Sequence, residues 1–421
     1  MPRNGRACEE EAGSLSGRRR LTMHIGFICD ELPPGPHGGV GTFTADIAQG
    51  LAGANHQVTV FVFESGKRRH WSLDGEPKSA SNPRIVSVYL SSPAWMRWRP
   101  GCLWTRWKLL QTLKAEHARN PLDLLECIDN GGWLPFGGIR GVPTVVRLHG
   151  ATFWFDHHLG SNTTDPFTHY LEKRTLKRAD RLVAVSDYIG ADEMSLSGLG
   201  RKADCTIHNA VDMEMFSPSP AEPVEKGLIV FANTIHPRKG IVELCKAMNI
   251  VGRAFPYARL VVVGKDLSFG PGGRPFSEEV AGQIEPEMRS RINFTGRLKY
   301  RSEVLAWLRR AQVCCYPSKL EGFGIAPVEA MAVGKPTIFS RTGPGPEVIE
   351  DGVSGLLCDP NSPEDIAASI SQVLGDAELA ARLGARARER VAERFERAGW
   401  IARNLAFYEE TVARAKGRAK G

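Results

Sequence analysis

No run in this 421-residue chain approaches the ~20 consecutive apolar residues that a membrane-spanning helix needs, so a transmembrane protein is not expected. The opening MPRNGRACEEEAGSLSGRRR lacks the apolar stretch of a secretory signal, and the expected location is the cytoplasm. Nine cysteines are scattered without paired zinc spacing, and Cys314 and Cys315 sit in an apolar, strand-like run as small hydrophobes. Asp-x-Asp is absent, and His157 and His158 have no companion ligands at metalloprotease spacing, so no metal is expected. Neither a G-x-G-x-x-G fingerprint nor a Walker A loop occurs, which argues against NAD binding and phosphoryl transfer. A basic body is missing too. The formal charge is +7, but residues 1–22 contribute +2 and residues 411–421 contribute +4, leaving the rest nearly neutral. A duplex-binding protein concentrates Lys and Arg on the fold itself, so nucleic acid is a poor partner. The loose basic ends instead suit peripheral contact with anionic lipid at the cytoplasmic membrane face.

What is present is an alternation of short β-branched runs with longer amphipathic segments, the pattern of parallel sheets covered by helices on both faces. A chain of this length suits two domains. Met23 precedes the first apolar strand, HIGFICD, and residues 1–22 read as a disordered extension or a mis-annotated start. Strands are expected at His24–Cys29, Gln57–Glu64, Arg84–Leu90, Leu122–Cys127, Thr144–Leu148, Arg181–Val185 and Cys205–His208, giving a first domain over 23–216. SPSPAEPVEKG, residues 217–227, reads as a linker. A second doubly wound domain over 228–395 has strands at Leu228–Ala232, Leu260–Gly264, Ile292–Thr295, Val313–Tyr316, Thr337–Ser340 and Gly355–Leu357. A final helical segment with a basic tail fills 396–421. Ligands of open α/β sheets bind beyond the carboxyl ends of the strands, so two such sheets facing one another would place the chemistry in an interdomain cleft.

Four stretches carry candidate chemistry. In PSKLEGFGIAPVEAMAVGKPTI, Glu321 and Glu329 bracket a glycine-rich loop running into a helix. Pro327 suits the first turn, which would put Glu329 there as well. The amides of Gly322, Phe323, Gly324 and Ile325 would then stand at a helix start that favours an anion such as diphosphate. Glu329 can accept two hydroxyls from a ribose, or it merely complements the helix dipole. In GLIVFANTIHPRKG, Arg238 and Lys239 follow a strand end, where fixed cations would stabilise a departing diphosphate more in the transition state than in the ground state. The third stretch, PPGPHGGVGTFTADIAQGL, offers Gly39 and Gly41 for close approach of a phosphate or sugar, a weak signal in this fold class. In the fourth, TVVRLHG, His149 sits at a strand tip. A lone histidine is more often structural than catalytic, and strand-end placement improves its odds.

Read together, these residues resemble retaining glycosyltransferase family 4, the glycosyl transferases group 1. The likeness spans about Met23 to Tyr408, and its most specific element is the E-x7-E pattern of Glu321 and Glu329 followed by EAMAVGKPTI. VAVSDYI, IHNAVDMEMF, PRKG and NFTGRL also match. The resemblance implies a GT-B fold of two Rossmann-like domains, the second binding a UDP- or GDP-sugar, with the last helix crossing back to the first. It implies that Glu329 holds the ribose, that Glu321 and the following amides contact the transferred sugar, that Lys239 binds the diphosphate, and that His149 lies beside the reacting centre. Arg297 of NFTGRL is grouped with the donor site. Reaction would proceed on the front face, the leaving phosphate helping to deprotonate the acceptor, with no cofactor beyond the nucleotide sugar. Many members carry Arg five residues before the lysine; here Thr234 stands there, so Arg238 is expected to supply the second cation.

The acceptor is expected at PAWMRWRPGCLWTRWK, where Trp95 and Trp98 could stack on sugar rings or meet a lipid headgroup, with ordinary helix packing as the plain alternative. A hexose-type transfer to a glycan, lipid-linked or small-molecule acceptor in bacterial polysaccharide or glycoconjugate synthesis is the resulting expectation. The competing readings are a nucleotide-sugar epimerase or phosphorylase on the same fold and a non-catalytic nucleotide-sugar-binding protein.

Overall fold

The structure is a computed structural model and describes residues 22–33, 38–64, 82–89, 99–161, 164–267 and 274–418. It divides into two compact units. The first takes the described residues up to His208 together with those from Ala398 onward, and the second runs from Asn209 to Arg397.

In the first unit the chain runs β1 (His24–Cys29), α1 (Gly39–Gly53), β2 (Gln57–Glu64), β3 (Arg84–Tyr89), α2 (Arg99–Arg119), β4 (Leu124–Ile128), β5 (Thr144–Leu148), α3 (Thr152–Leu159), α4 (Pro166–Arg178), β6 (Arg181–Ala184), α5 (Asp187–Ser197) and β7 (Cys205–Thr206). The strands form one parallel sheet in the order β3-β2-β1-β4-β5-β6-β7. Every residue of β1, β4 and β5 is buried, as a sheet covered on both faces requires.

The second unit follows as β8 (Leu228–Ala232), a 3-10 turn (Pro237–Lys239), α6 (Ile241–Ala254), β9 (Arg259–Val263), α7 (Phe276–Ala281), α8 (Pro286–Arg289), β10 (Ile292–Gly296), α9 (Arg301–Arg310), β11 (Val313–Tyr316), α10 (Ile325–Ala332), β12 (Thr337–Ser340), α11 (Gly345–Val348), β13 (Leu356–Cys358), α12 (Pro363–Gly375) and α13 (Ala377–Arg394). Its parallel sheet has the order β10-β9-β8-β11-β12-β13. Each unit is thus a Rossmann-like domain whose strand order reverses once, between β1 and β4 in the first and between β8 and β11 in the second. Strand ends flanking such a reversal are where open α/β sheets bind ligands.

The last helix, α14 (Arg397–Arg418), leaves the second unit at its first residue and belongs to the first from Ala398. Its buried residues Trp400, Ile401, Asn404, Leu405, Phe407, Tyr408, Thr411 and Val412 recur at helical spacing and make one covered stripe. At the stripe's centre the Arg147 guanidinium of β5 is fully buried. Its Nε and Nη2 donate to the two oxygens of Glu126 at 2.7 and 3.1 Å, and Nη2 also donates to Asn404 Oδ1 at 2.6 Å and Tyr408 Oη at 3.2 Å. Tyr408 in turn donates to Glu126 Oε2 at 2.7 Å.

Expected strands lie within a residue or two of the observed ones, and the division of the chain differs more. The boundary falls at His208/Asn209, ahead of the expected 216/217, and residues 217–227 pack into the second unit instead of linking two domains. Arg309 donates to Ser217 O at 2.7 Å and pairs with Glu222 at 2.8 Å, Arg310 and Arg259 both pair with Glu225, and the Gly227 amide donates to Gln312 Oε1 at 2.6 Å. A polar, proline-containing composition reads as loose chain, but here its carboxylates meet arginines of α9 and β9. Asp212 of NAVD anchors the unit's entry: its Oδ1 accepts from the amides of Glu214 and Met215, both at 3.0 Å, and its Oδ2 accepts from Arg397 at 3.0 Å.

Candidate functional site

The turns after β8 and β11 flank the reversal point of the second sheet and are fastened to one another. The amides of Lys319 and Leu320 donate to Arg238 O at 2.8 and 3.3 Å. Gly240, at φ +70°, brings its backbone so near Pro317 that a Cβ would sit 1.8 Å from the Pro317 carbonyl oxygen. That contact lets Lys239 reach Glu321: the ammonium donates to Glu321 Oε1, Ser318 Oγ donates to the same oxygen at 3.1 Å, and an Arg238 nitrogen lies 3.8 Å from Glu321 Oε2. Both partners of the pair are buried. Burial lowers the Lys239 pKa to about 8 against the pull of Glu321. Burial pushes the Glu321 carboxyl upward, but Lys239 and Arg238 outweigh it and hold the group below its usual range. His236 starts the 3-10 turn, its Nδ1 accepting from the Arg238 amide at 3.1 Å; burial and the two adjacent cations lower its pKa to about 4, so it is neutral at physiological pH.

The glycine-rich loop then enters α10 with Gly324 as N-cap at φ +95°, where a Cβ would lie 2.8 Å from the Phe339 ring. No side chain caps this helix. Pro327 is the third residue of the helix, in the first turn as expected, where a backbone N–H would lack a helical partner, but Glu329 is its fifth, in the second turn instead of the first. There Glu329 Oε1 accepts from Arg301 Nη2 at 2.7 Å, and Arg301 lies over the Phe216 ring at 4.7 Å. Sequence reading passed over Arg301, whose only signal is an arginine opening the helix after NFTGRL. Phe323 is buried with its ring 5.7 Å from that of Phe395, so its side chain belongs to the core. Thr234 is half-buried in the β8 turn, its amide held by Asn233 Oδ1 at 2.8 Å, and Arg297 is exposed just past β10.

In the first unit, three buried carboxylates organise the strand tip that bears His149. Asp129, at the end of β4, accepts the amides of His149 and Gly150 on Oδ2 and that of Asn130 on Oδ1, all at 2.8 Å. Glu172 of α4 accepts the Gly131 amide at 2.8 Å, the Thr152 hydroxyl at 2.6 Å and the first amides of α3, Thr152 and Phe153, at 3.1 Å. Glu193 of α5 is the third, and all three are inaccessible to solvent. No motif pointed to them, because an acidic residue after a strand reads as a solvated loop and one on a helix as part of its exposed face. The His149 ring packs edge-on against Phe43, centroids 4.8 Å apart, and its Nε2 is buried with no hydrogen-bond partner among the described residues. Burial, helped by the nearby Arg147 charge, lowers its pKa to about 3, so the ring is uncharged at neutral pH.

Gly39 and Gly41 open α1, but the Gly41 amide already donates to Glu31 Oε1 at 2.9 Å. A phosphate there would meet a carboxylate, and the geometry does not favour an anion at this helix start. Trp95 and Trp98 lie outside the described residues. Further along the same segment, Trp104 and Trp107 of α2 stack at 4.9 Å with Lys108 over the Trp104 ring. Among the described residues, no group of three or more His, Cys, Asp and Glu is placed to hold a metal ion, and no helix is long and apolar enough to cross a membrane.

Two family models match, Glycosyltransferase Family 4 over residues 37–215 and Glycosyl transferases group 1 over residues 212–390, so together they take in both units. The chain is a glycosyltransferase of the group 1 and family 4 type. Glycogen synthase of Mycobacterium tuberculosis is 24% identical to the transferase over 394 residues, 89% of this chain and 91% of that protein. Matches to several other curated relatives span about three fifths of their own length. Among solved structures, sucrose-phosphate synthase from Thermosynechococcus elongatus superposes with a TM-score of 0.77 at 21% identity, covering 93% of the transferase and 99% of that chain. Anabaena HepE, solved in complex with UDP and glucose, gives 0.70 at 20% identity over 92% and 100%. The fold is that of the GT-B glycosyltransferases.

Proposed function

We propose that the transferase moves a hexose-type sugar from a UDP- or GDP-sugar to a glycan, lipid-linked or small-molecule acceptor in the cytoplasm, with retention of configuration and without a metal, in bacterial polysaccharide or glycoconjugate synthesis. The observation that carries this reading is the Lys239–Glu321 pair at the reversal point of the second sheet, on the turns next to the uncapped start of α10. A helix start, whose first amides lack partners within the helix itself, suits a diphosphate, and Lys239 with Arg238 adds fixed positive charge. Breaking the glycosyl–phosphate bond builds negative charge on the leaving group, which such cations stabilise most strongly in the transition state. Glu321 keeps Lys239 in place before donor arrives and, as a carboxylate, can accept hydroxyls of the transferred sugar. Glu329, oriented by Arg301, has the chemistry to accept ribose hydroxyls. His149, being neutral, can offer substrate a hydrogen bond but no charge. The solved complex of HepE with UDP and glucose supports a uridine nucleotide as the first donor to try.

The test is thermal stabilisation of the purified protein by UDP, GDP, ADP and their common sugars, with and without EDTA, followed by NMR of the product's anomeric centre. Stabilisation by one nucleotide that survives EDTA, and a product with the donor's configuration, are expected. Stabilisation abolished by EDTA, or an inverted product, would overturn the corresponding part of the reading.

A further inference from the structure

Asp129 and Glu193 are buried side by side, and their surroundings differ in kind. Three backbone amides converge on Asp129, from Asn130, His149 and Gly150, so its ionised form is well solvated by the protein. Glu193 has no such support: neither oxygen has a hydrogen-bond donor among the described residues, and the nearby Ala151 amide makes no well-formed bond to it. Its polar neighbour is the Asp129 carboxylate, with the Glu172 carboxylate also close and already committed to four donors of its own. The titratable groups that interact with the pair are Glu172 from α4 and the buried Cys127 thiol of β4, and His149 at the tip of β5 meets Asp129 through its backbone amide. Two ionised carboxylates in contact and out of water are mutually destabilising, so one of them keeps its proton. The three amides decide which one. A proton on Asp129 would weaken the acceptor oxygens on which those amides converge, whereas a proton on Glu193 gives an unsupported acid a hydrogen bond to the one carboxylate site the three amides leave open.

We infer that Glu193 is carried as a neutral acid which donates its proton to Asp129, and that this hydrogen bond positions the Asp129 carboxylate that holds the His149–Gly150 strand tip. Glu193 is a positioning residue, acting on His149 through Asp129 and the backbone. Burial shifts the Glu193 carboxyl well above its ordinary range and the Asp129 carboxyl only to about 6, in the same direction as the geometry. The catalytic consequence rests on the transferase reading proposed above; the protonation state does not.

The experiment exploits the asymmetry. Glu193→Gln supplies an N–H donor where the acid supplied O–H, whereas Asp129→Asn turns an amide group toward backbone donors. Infrared difference spectra of the wild type at neutral pH should show a protonated-carboxyl stretch that Glu193→Gln removes. Thermal unfolding should leave Glu193→Gln near the wild type and lower Asp129→Asn. With a donor in hand, Asp129→Asn and Glu193→Leu should lose about 10²-fold in kcat by displacing the tip, with KM little changed, and Glu193→Gln should restore most of that loss. No protonated band in the wild type, or equal damage from Glu193→Gln and Glu193→Leu, would overturn the inference. The spectra and unfolding need no substrate, so they decide the protonation state even if the donor reading fails.

Discussion

Lys239 and Glu321, separated by 82 residues in sequence, form a buried ion pair across the turns that end two adjacent parallel strands. Such a pair is held as much by the cost of breaking it as by its own attraction. Removing one partner strands a charge out of water and costs about 3–5 kcal/mol, whereas replacing both with uncharged groups of similar size is often nearly neutral. Lys239→Met and Glu321→Gln should therefore each lower the unfolding free energy by about 3 kcal/mol, and the double variant should recover most of it. Turnover should not recover: Lys239→Met should lose roughly 10²–10³-fold with or without the second change. Chemical denaturation beside initial rates separates the two, and recovery of activity in the double variant would show that the pair is structural only.

Lys239 also sets an expected pH limb. Its pKa in the folded protein is lowered to about 8, so kcat/KM should fall above pH 8 as the ammonium loses its proton. Stability should move the opposite way. Between pH 8 and the ordinary lysine range near 10.4 the unfolded chain still binds a proton that the folded chain has released, so this group's contribution to folding becomes more favourable as pH rises. Lys239→Arg, which stays charged, should remove the limb from kcat/KM. A limb that persists in that variant belongs to another group.

Much of this was legible in the sequence because buried parallel strands write themselves as continuous apolar runs, and glycine and proline mark the turns between them. Lys239 and Glu321 could be selected by type and by position after a strand, but their contact is a product of strand order, since β8 and β11 become neighbours only when the sheet reverses. Residues 217–227 look like a linker because local composition does not reveal arginines that arrive from α9 and β9. Asp129, Glu172 and Glu193 were invisible for the same reason: only the folded surroundings set them apart from solvated carboxylates, bringing backbone amides to Asp129 and Glu172 and burying Glu193 without any.

Gly240 is required by geometry. It adopts φ +70°, and a Cβ there would overlap the Pro317 carbonyl oxygen. The Gly240→Ala variant should push apart the turns that join Lys239 to Glu321, losing both thermal stability and activity, whereas Gly198→Ala, at the same φ but with open space around it, should cost only the backbone strain. Parallel melting curves check this, and equal shifts in the two variants would mean that the close approach is not what demands glycine.

Tyr408 ties α14 to the first sheet through its hydroxyl, which donates to Glu126 and accepts from Arg147. Tyr408→Phe removes both bonds without changing shape and leaves a buried Glu126 oxygen short of a donor, at a cost of about 1–3 kcal/mol. Denaturant unfolding should register the loss, and the far-UV spectrum should be unchanged. An unaltered midpoint would indicate that Arg147 alone satisfies Glu126.

Arg301 donates to Glu329, whose carboxylate is the proposed ribose contact. If Arg301 acts only by fixing that carboxylate, Arg301→Ala should raise the Kd for the preferred nucleoside diphosphate about tenfold while kcat at saturating donor changes little. Glu329→Ala should weaken binding further, since it removes the ribose acceptor itself. Because one side chain would work through the other, the double variant should bind no worse than Glu329→Ala alone. Calorimetric titration with UDP and GDP measures all three proteins. Fully additive losses would instead mean that Arg301 touches the nucleotide directly, and equal binding by Glu329→Ala and the wild type would remove Glu329 from the ribose site.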